Sequence, residues 1–138
     1  MTNKLPDVSG DFDWVSERAE CAPFKVFERL RAQAKNDMDK RNALTEERGS
    51  DNRTFFLESG DGWFSVAFKT LEKYSGITFN LTANGIEVLD TATHSLLHDG
   101  ILTISNDGCC RLRVGNTELS LWQFRKLALQ DFFFVVGR

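Results

Sequence analysis

Residues 54–71 read TFFLESGDGWFSVAFKTL, and this stretch decides the fold class. Aromatic and aliphatic residues fill both of its halves, and the Gly-Asp-Gly at 60–62 separates them as a hairpin turn would. In the second half Phe64, Val66 and Phe68 occupy every second position, so all three face one side of a strand. We therefore predict a β-hairpin here, with these three side chains facing the core.

The alternating pattern continues downstream of this hairpin. Residues 77–81 and 86–91 are two further alternating runs, and the Asn-Gly pair at 84 and 85 joins them. Asn-Gly is the strongest short hairpin signal because both residues tolerate positive φ. These runs predict a second antiparallel pair of strands.

A third hairpin is predicted from residues 101–105 and 109–114, which flank an Asn-Asp-Gly turn. One of two pairs supplies its buried side: Leu102 and Ile104, or Leu112 and Val114. Residues 92–99 break the alternation, so we predict that they form a connector. The sheet would then be a meander of about six strands.

Upstream of Gly49 the apolar residues follow a helical period instead. The helix is predicted to begin at Pro23, which suits a first turn, and to end near Arg48 with Gly49 as its C-cap. Its apolar stripe consists of Phe24, Phe27, Leu30, Ala34, Met38 and Ala43 or Leu44. A short helix over residues 13–20, N-capped by Asp11 or Asp13, precedes it, and residues 1–12 form a loose N-terminal segment.

Residues 117–136 fit either a strand or a helix. We favour a strand at 117–119, followed by a helix from Ser120, as a possible N-cap, to Phe134. The run 132–136 is entirely apolar, so we expect it to dock into its own core or against a second copy of the chain.

Together these patterns predict one α+β domain over residues 1–138, a length that suits a single core. An N-terminal amphipathic helix, an antiparallel meander forming a curved sheet or partial barrel, and a C-terminal helix would follow one another.

Composition narrows the function classes. The net charge is −3, whereas nucleic-acid-binding domains are usually basic, so we do not expect nucleic acid as the main partner. An odd count of three cysteines, two of them adjacent, argues against a secreted disulfide scaffold. Neither an apolar leader nor a run of 18 apolar residues occurs, so we expect a cytoplasmic protein without a membrane segment.

Few residues suggest chemistry. His94 and His98 lie four apart, yet no spacing signals the third ligand that a zinc site requires. Cys109 would need a depressed pKa to act as a nucleophile, and Arg111 is the nearby cation in the sequence. We expect no metal, no cofactor and no catalytic residue, and lean against an enzyme.

The aromatic content, twelve Phe and three Trp, is the most unusual feature. Most Phe residues should build the core, but Trp63 follows a turn, and Trp122 precedes Arg125 in a pattern typical of interaction hot spots. We therefore predict a non-enzymatic module that binds a protein partner or associates with itself as a homodimer. Its contacts would include Trp63, Trp122, Arg125 and Phe134.

Two alternatives remain open. In the first, a pocket for a small apolar ligand, or a small enzyme, has His94, His98 or Cys109 at its mouth. This hypothesis requires a cavity that reaches a histidine. In the second, nucleic acid binds to one basic surface formed by Arg111, Arg113, Arg125 and Lys126.

Overall fold

A computed structural model describes residues 12–48 and 54–136, and side-chain burial over 12–44 and 54–134. The predicted loose segment falls outside these ranges except for Phe12, as do the proposed caps Asp11 and Gly49. The helices are α1 (Trp14–Glu20), α2 (Pro23–Arg48) and α3 (Leu121–Asp131), and a π-helical turn (Phe132–Val136) extends α3. The strands are β1 (Phe56–Gly60), β2 (Trp63–Lys69), β3 (Tyr74–Leu81), β4 (Gly85–Asp90), β5 (Leu96–Ile104), β6 (Cys110–Val114) and β7 (Thr117–Leu119).

Each strand pairs antiparallel with the next in the chain, so the sheet order is β1-β2-β3-β4-β5-β6-β7 and the sheet is not closed. This meander, preceded and followed by helices, confirms the predicted α+β fold class. The seventh strand is the three-residue β7, which pairs with β6 from Leu112 opposite Leu119 to Val114 opposite Thr117.

Both long helices pack on the same face of the sheet, here called the inner face. Phe64 and Phe79 stack there with ring centroids 4.6 Å apart, and Phe27 of α2 and Phe124 of α3 contact this pair. Phe64, Val66 and Phe68 are all buried, which confirms the facing predicted for β2. Phenylalanine side chains from α2, from the sheet and from α3 therefore pack together in one core.

The apolar stripe of α2 differs from the prediction at both ends. Val26 is buried, whereas Phe24 is 63% exposed because it lies about 90° around the helix from the centre of the buried stripe. Leu44 has the right angular position, but it lies more than one turn beyond Met38 and is 48% exposed. Leu44 therefore remains available for other contacts.

The predicted connector over residues 92–99 is wrong, because β5 already begins at Leu96. Val88 pairs with His98 while Leu89 pairs with Leu96, so Leu97 is an extra residue between the two pairs. Such a bulge interrupts the two-residue period from which strands are recognised in a sequence.

The predicted C-terminal order of strand and then helix is confirmed. Ser120 caps α3, since its hydroxyl accepts from the Gln123 N–H while the Gln123 side chain accepts from the Ser120 N–H. Phe132 and Phe133 are buried in the chain's own core, and Phe134 is half exposed.

The cysteines depart from expectation, because Cys21 and Cys110 form a disulfide. It joins the α1–α2 junction to β6, where the carboxylate of Glu17 also accepts from the Cys110 N–H at 2.8 Å. Cys109 is a free thiol. A separation of 89 residues explains why no local pattern indicated the pair.

Candidate functional site

Three of the predicted interaction residues, Trp122, Arg125 and Phe134, line one concavity between α2 and α3. We call it the α2–α3 groove; its volume is about 450 Å³. The α2 wall consists of Asp37, Lys40, Arg41 and Leu44, which recur at three- and four-residue spacing. The α3 side consists of Trp122, Arg125, Lys126, Leu129, Gln130, Phe133 and Phe134.

Large apolar side chains surround this groove. Leu44, Trp122 and Phe134 are 48%, 56% and 50% exposed, respectively. Leu129 and Phe133 also line the groove and are buried in the core, so they connect this surface to a rigid base. A concave apolar surface on packed helices presents a preformed binding shape.

Two arginines of the groove are held in place by the protein itself. Arg125 donates to Asp37 and to Gln33, each at 2.6 Å, and so ties α3 to α2. Arg41 donates to the carbonyl of Phe133 at 2.8 Å, and its guanidinium lies 5.4 Å from the ring centroid of Phe134. The bond to the Phe133 carbonyl positions the π-helical turn against α2.

Two lysines of the groove, unlike its arginines, are not held by other described side chains. Lys40 on α2 and Lys126 on α3 are exposed, and neither forms an ion pair with another described residue. They therefore bring positive charge to opposite walls of an apolar groove.

A second concavity, of about 400 Å³, adjoins the groove and shares Asp37, Lys40, Trp122 and Arg125 with it. Trp122 lines both, so an indole that is more than half exposed lies within a longer furrow along the α2–α3 seam.

His98 lies elsewhere, in a cavity of about 590 Å³ between α3 and the ends of β3, β4 and β5. Burial lowers the pKa of its imidazole, and the ring makes no side-chain hydrogen bond within the described part of the chain. Apolar side chains of this cavity include Ile77, Leu97, Leu127 and Phe132. The His98 imidazole thus faces a cavity with these apolar side chains in its lining.

Of the three residues considered for a pocket mouth, His98 lines this cavity, whereas His94 and Cys109 do not. His94 is exposed in the β4–β5 turn with φ of 61°. Cys109 follows the far end of β5, and the seven residues from His98 to Ile104 span about 20 Å of strand. Burial, reinforced by the charge of Asp107, raises the pKa of the Cys109 thiol, which is the opposite of activation.

The predicted basic surface is divided between two sides of the molecule. Arg111 and Arg113 flank the buried Leu112 on β6, so they lie on the outer face of the sheet. Arg125 and Lys126 belong to α3, which packs on the inner face. Arg111 is also paired with Asp107, whose carboxylate lies 3.2 Å from its guanidinium.

Trp63 is likewise remote from the groove. It lies on the outer face opposite Gly60, where a Cβ atom would come within 2.5 Å of the indole nitrogen. The indole therefore covers the hairpin backbone, a structural role that the sequence position alone did not distinguish from a binding role.

The sequence pattern did not predict that Lys40, Arg41 and Leu44 belong to the candidate site. Their spacing continues the α2 stripe beyond Met38, which is the only signal that marked them. Their pairing with α3 depends on how both helices pack across the sheet, and no local pattern encodes that packing.

Comparisons with protein-family models, with curated proteins and with solved structures found no match for this chain. Across residues 12–48 and 54–136, no group of three or more His, Cys, Asp or Glu is arranged to hold a metal ion. None of the helices described combines the length and apolar character required to cross a membrane. The protein is therefore described by its structure as an α+β domain. Its α2–α3 groove is lined by both apolar and cationic side chains.

Proposed function

We propose that this chain is a non-enzymatic protein-interaction module that binds a segment of a partner protein in the α2–α3 groove. The observation that carries the proposal is the gathering of Leu44, Trp122 and Phe134, each about half exposed, around one concave surface. Isolated exposed apolar residues are common on soluble proteins, but a concave cluster containing Trp and Arg is typical of interaction hot spots.

The groove could in principle bind a second copy of this chain or a different protein, and we favour a different protein. In a twofold dimer formed groove to groove, Lys40 and Lys126 of one copy would approach the same cations of the other. Such like-charge contacts oppose association. Burial of Phe132 and Phe133 in their own core also removes two of the side chains that a tail-mediated dimer would use.

Selection of random 14-residue peptides displayed on phage tests the proposal. We expect wild-type protein to enrich a family of related sequences, and Trp122→Ala to lose at least about tenfold of their affinity, because a hot-spot Trp contributes about 2 kcal/mol or more. Trp14→Ala is the matched control, since Trp14 is 66% exposed on α1 and lies outside the groove.

Two results would contradict the proposal. One is the absence of any enriched family in repeated selections against folded protein. The other is enriched peptides that bind Trp122→Ala and wild type equally.

A small-molecule site is the second candidate function, and the cavity that reaches His98 favours it. Its volume of about 590 Å³ falls within the range of small-ligand pockets. The probe is benzyl alcohol, a small apolar molecule with one hydroxyl. Saturable movement of the His98 ring signals in NMR spectra, with the His94 signals unchanged, would support the site. Equal movement of both histidines, or of neither at about 10 mM probe, would exclude it.

The cytoplasmic location expected from the sequence is also a proposal, and the disulfide bears on it directly. Disulfides are rare in reducing compartments. Maleimide labelling of intact cells, followed by mass spectrometry, distinguishes the cases. Labelling of Cys109 alone would place the protein in an oxidising compartment, whereas labelling of all three cysteines would support the cytoplasm.

A further inference from the structure

We infer that the segment bound in the α2–α3 groove is an amphipathic helix whose apolar stripe is flanked on both sides by Asp or Glu. This inference rests on the proposed function and specifies the chemistry of the partner. It follows from three features of the groove: its walls, its length and the placement of its charges.

The walls favour a helical occupant. Both are α-helices, whose interior backbone groups bond within the helix, so neither wall offers a free strand edge to an extended peptide. A bound extended segment would leave its own backbone N–H and C=O groups unpaired against apolar side chains, which is costly. A helix satisfies these groups internally and can lay an apolar face into the groove.

The length of the groove fits two to three helical turns. On α2 the lining runs from Asp37 to Leu44, about 10 Å of helix, and on α3 from Trp122 to Phe134, about 18 Å. Leu44, Trp122 and Phe134 are spread over this length. A partner helix of about 8 to 12 residues, with apolar side chains on one face, would contact all three.

The charges determine what flanks that apolar face. The lining holds four cationic side chains and one carboxylate, Asp37, in a chain whose net charge is −3. Asp37 is already paired with Arg125. Lys40 and Lys126 remain on opposite walls, so a helix lying between them would meet one ammonium group on each side. Carboxylates on both flanks complement this arrangement.

The chain's own α1 does not fit this description, although Trp14 and Val15 are highly exposed on it. Arg18 lies between these two side chains around the helix, so docking them would bring a guanidinium against the lysines. Glu17 is used in binding the backbone of Cys110. A different chain is therefore the better occupant.

Parallel peptide selections test the inference. The targets are wild type, the Lys40→Glu/Lys126→Glu variant and a Lys25→Glu/Lys35→Glu control. The control makes the same change in net charge on exposed α1–α2 surface outside the groove, where both lysines already have acidic partners. We expect wild type and control to enrich peptides with Asp or Glu flanking the apolar positions, and the groove variant to enrich Lys or Arg there.

The leading wild-type peptide then provides a quantitative test. Replacing its flanking acids with Gln should weaken binding about five- to tenfold at about 0.05 M NaCl, and the difference should shrink at about 0.5 M. Proline at a central solvent-facing position should abolish binding, whereas alanine there should not, because proline breaks a helix and alanine favours one.

The outcomes separate the inference from the proposed function. Peptides that depend on Trp122 but show no preference for acids, or that tolerate the proline, would overturn the inference and leave the proposed function standing. The absence of any Trp122-dependent peptide would overturn both. A concentration-dependent dimer by light scattering that Trp122→Ala abolishes would replace the partner helix with a second copy.

Discussion

The side chain of Asn42 forms two hydrogen bonds with the backbone of Phe55, as a neighbouring strand would do. Its amide donates to the carbonyl of Phe55 and accepts from the Phe55 N–H, both at 2.9 Å. Phe55 lies just before β1 and is almost completely buried, so water cannot serve its backbone groups. The two bonds fix the position at which the chain enters the sheet after α2.

We expect Asn42→Ala to lower the free energy of unfolding by about 1–3 kcal/mol, because it leaves a buried N–H and C=O unsatisfied. Urea denaturation measures the change. Asn36→Ala is the control, since Asn36 is exposed on the same helix. Equal effects of the two substitutions would show that the bonds to Phe55 contribute nothing.

The His98 imidazole makes stability depend on pH. Burial lowers its pKa in the folded state, so the unfolded chain binds the proton first as the pH falls. The free energy of unfolding should therefore decrease from about pH 6.5 downward, near the ordinary histidine pKa. Urea titrations between about pH 7 and pH 5 measure this slope, a range above that in which carboxylates titrate.

His98→Gln should flatten that slope, whereas His94→Gln, which changes an exposed turn residue, should leave it as in wild type. A slope unchanged by His98→Gln would mean that another group causes the pH dependence.

Among the elements, β2 and β5 show how far the sequence determines the fold. Every second residue of β2 from Phe64 to Phe68 faces the core, and the sequence displays that period without interruption. In β5 the bulge at Leu97 shifts the period, so the first residues of the strand resembled a loop. Strands are predictable where pairing is regular, because the two-residue period is then the only constraint on the side chains.

The capping box of α3 supports the element that carries Trp122. We expect Ser120→Ala to destabilise the protein by about 1 kcal/mol, since the Gln123 N–H loses its acceptor. Ser59→Ala, at an exposed position of β1, should change stability by less than about 0.5 kcal/mol. Urea denaturation compares them. Identical midpoints for wild type and Ser120→Ala would contradict a stabilising cap.

At the scale of the whole molecule, the sequence predicted the layers but not the contacts between distant parts. Trp122, Arg125 and Phe134 were predicted to be interaction residues from their types and neighbours. Their contact with Leu44 depends on the packing of α2 against α3, two helices that the seven strands separate along the sequence. For the same reason, the sequence did not indicate that Cys21 and Cys110 form a disulfide.

The disulfide should stabilise the whole fold. Cys21→Ser is expected to lower the free energy of unfolding by about 2–5 kcal/mol, because the bond spans 89 residues of chain. Cys109→Ser, which removes the free thiol beside it, is the matched control and should have a much smaller effect. Equal urea midpoints for Cys21→Ser and wild type under non-reducing conditions would refute the prediction.

Joining Cys21 to Cys110 also closes a covalent ring that contains α2 and the first five strands. A protease that cuts once inside this ring would produce two fragments that remain attached to each other. Such nicked protein would migrate as one band on a denaturing gel until a thiol reductant released the pieces. Limited proteolysis of this protein must therefore be examined with and without reductant, or a cleaved molecule will be mistaken for an intact one.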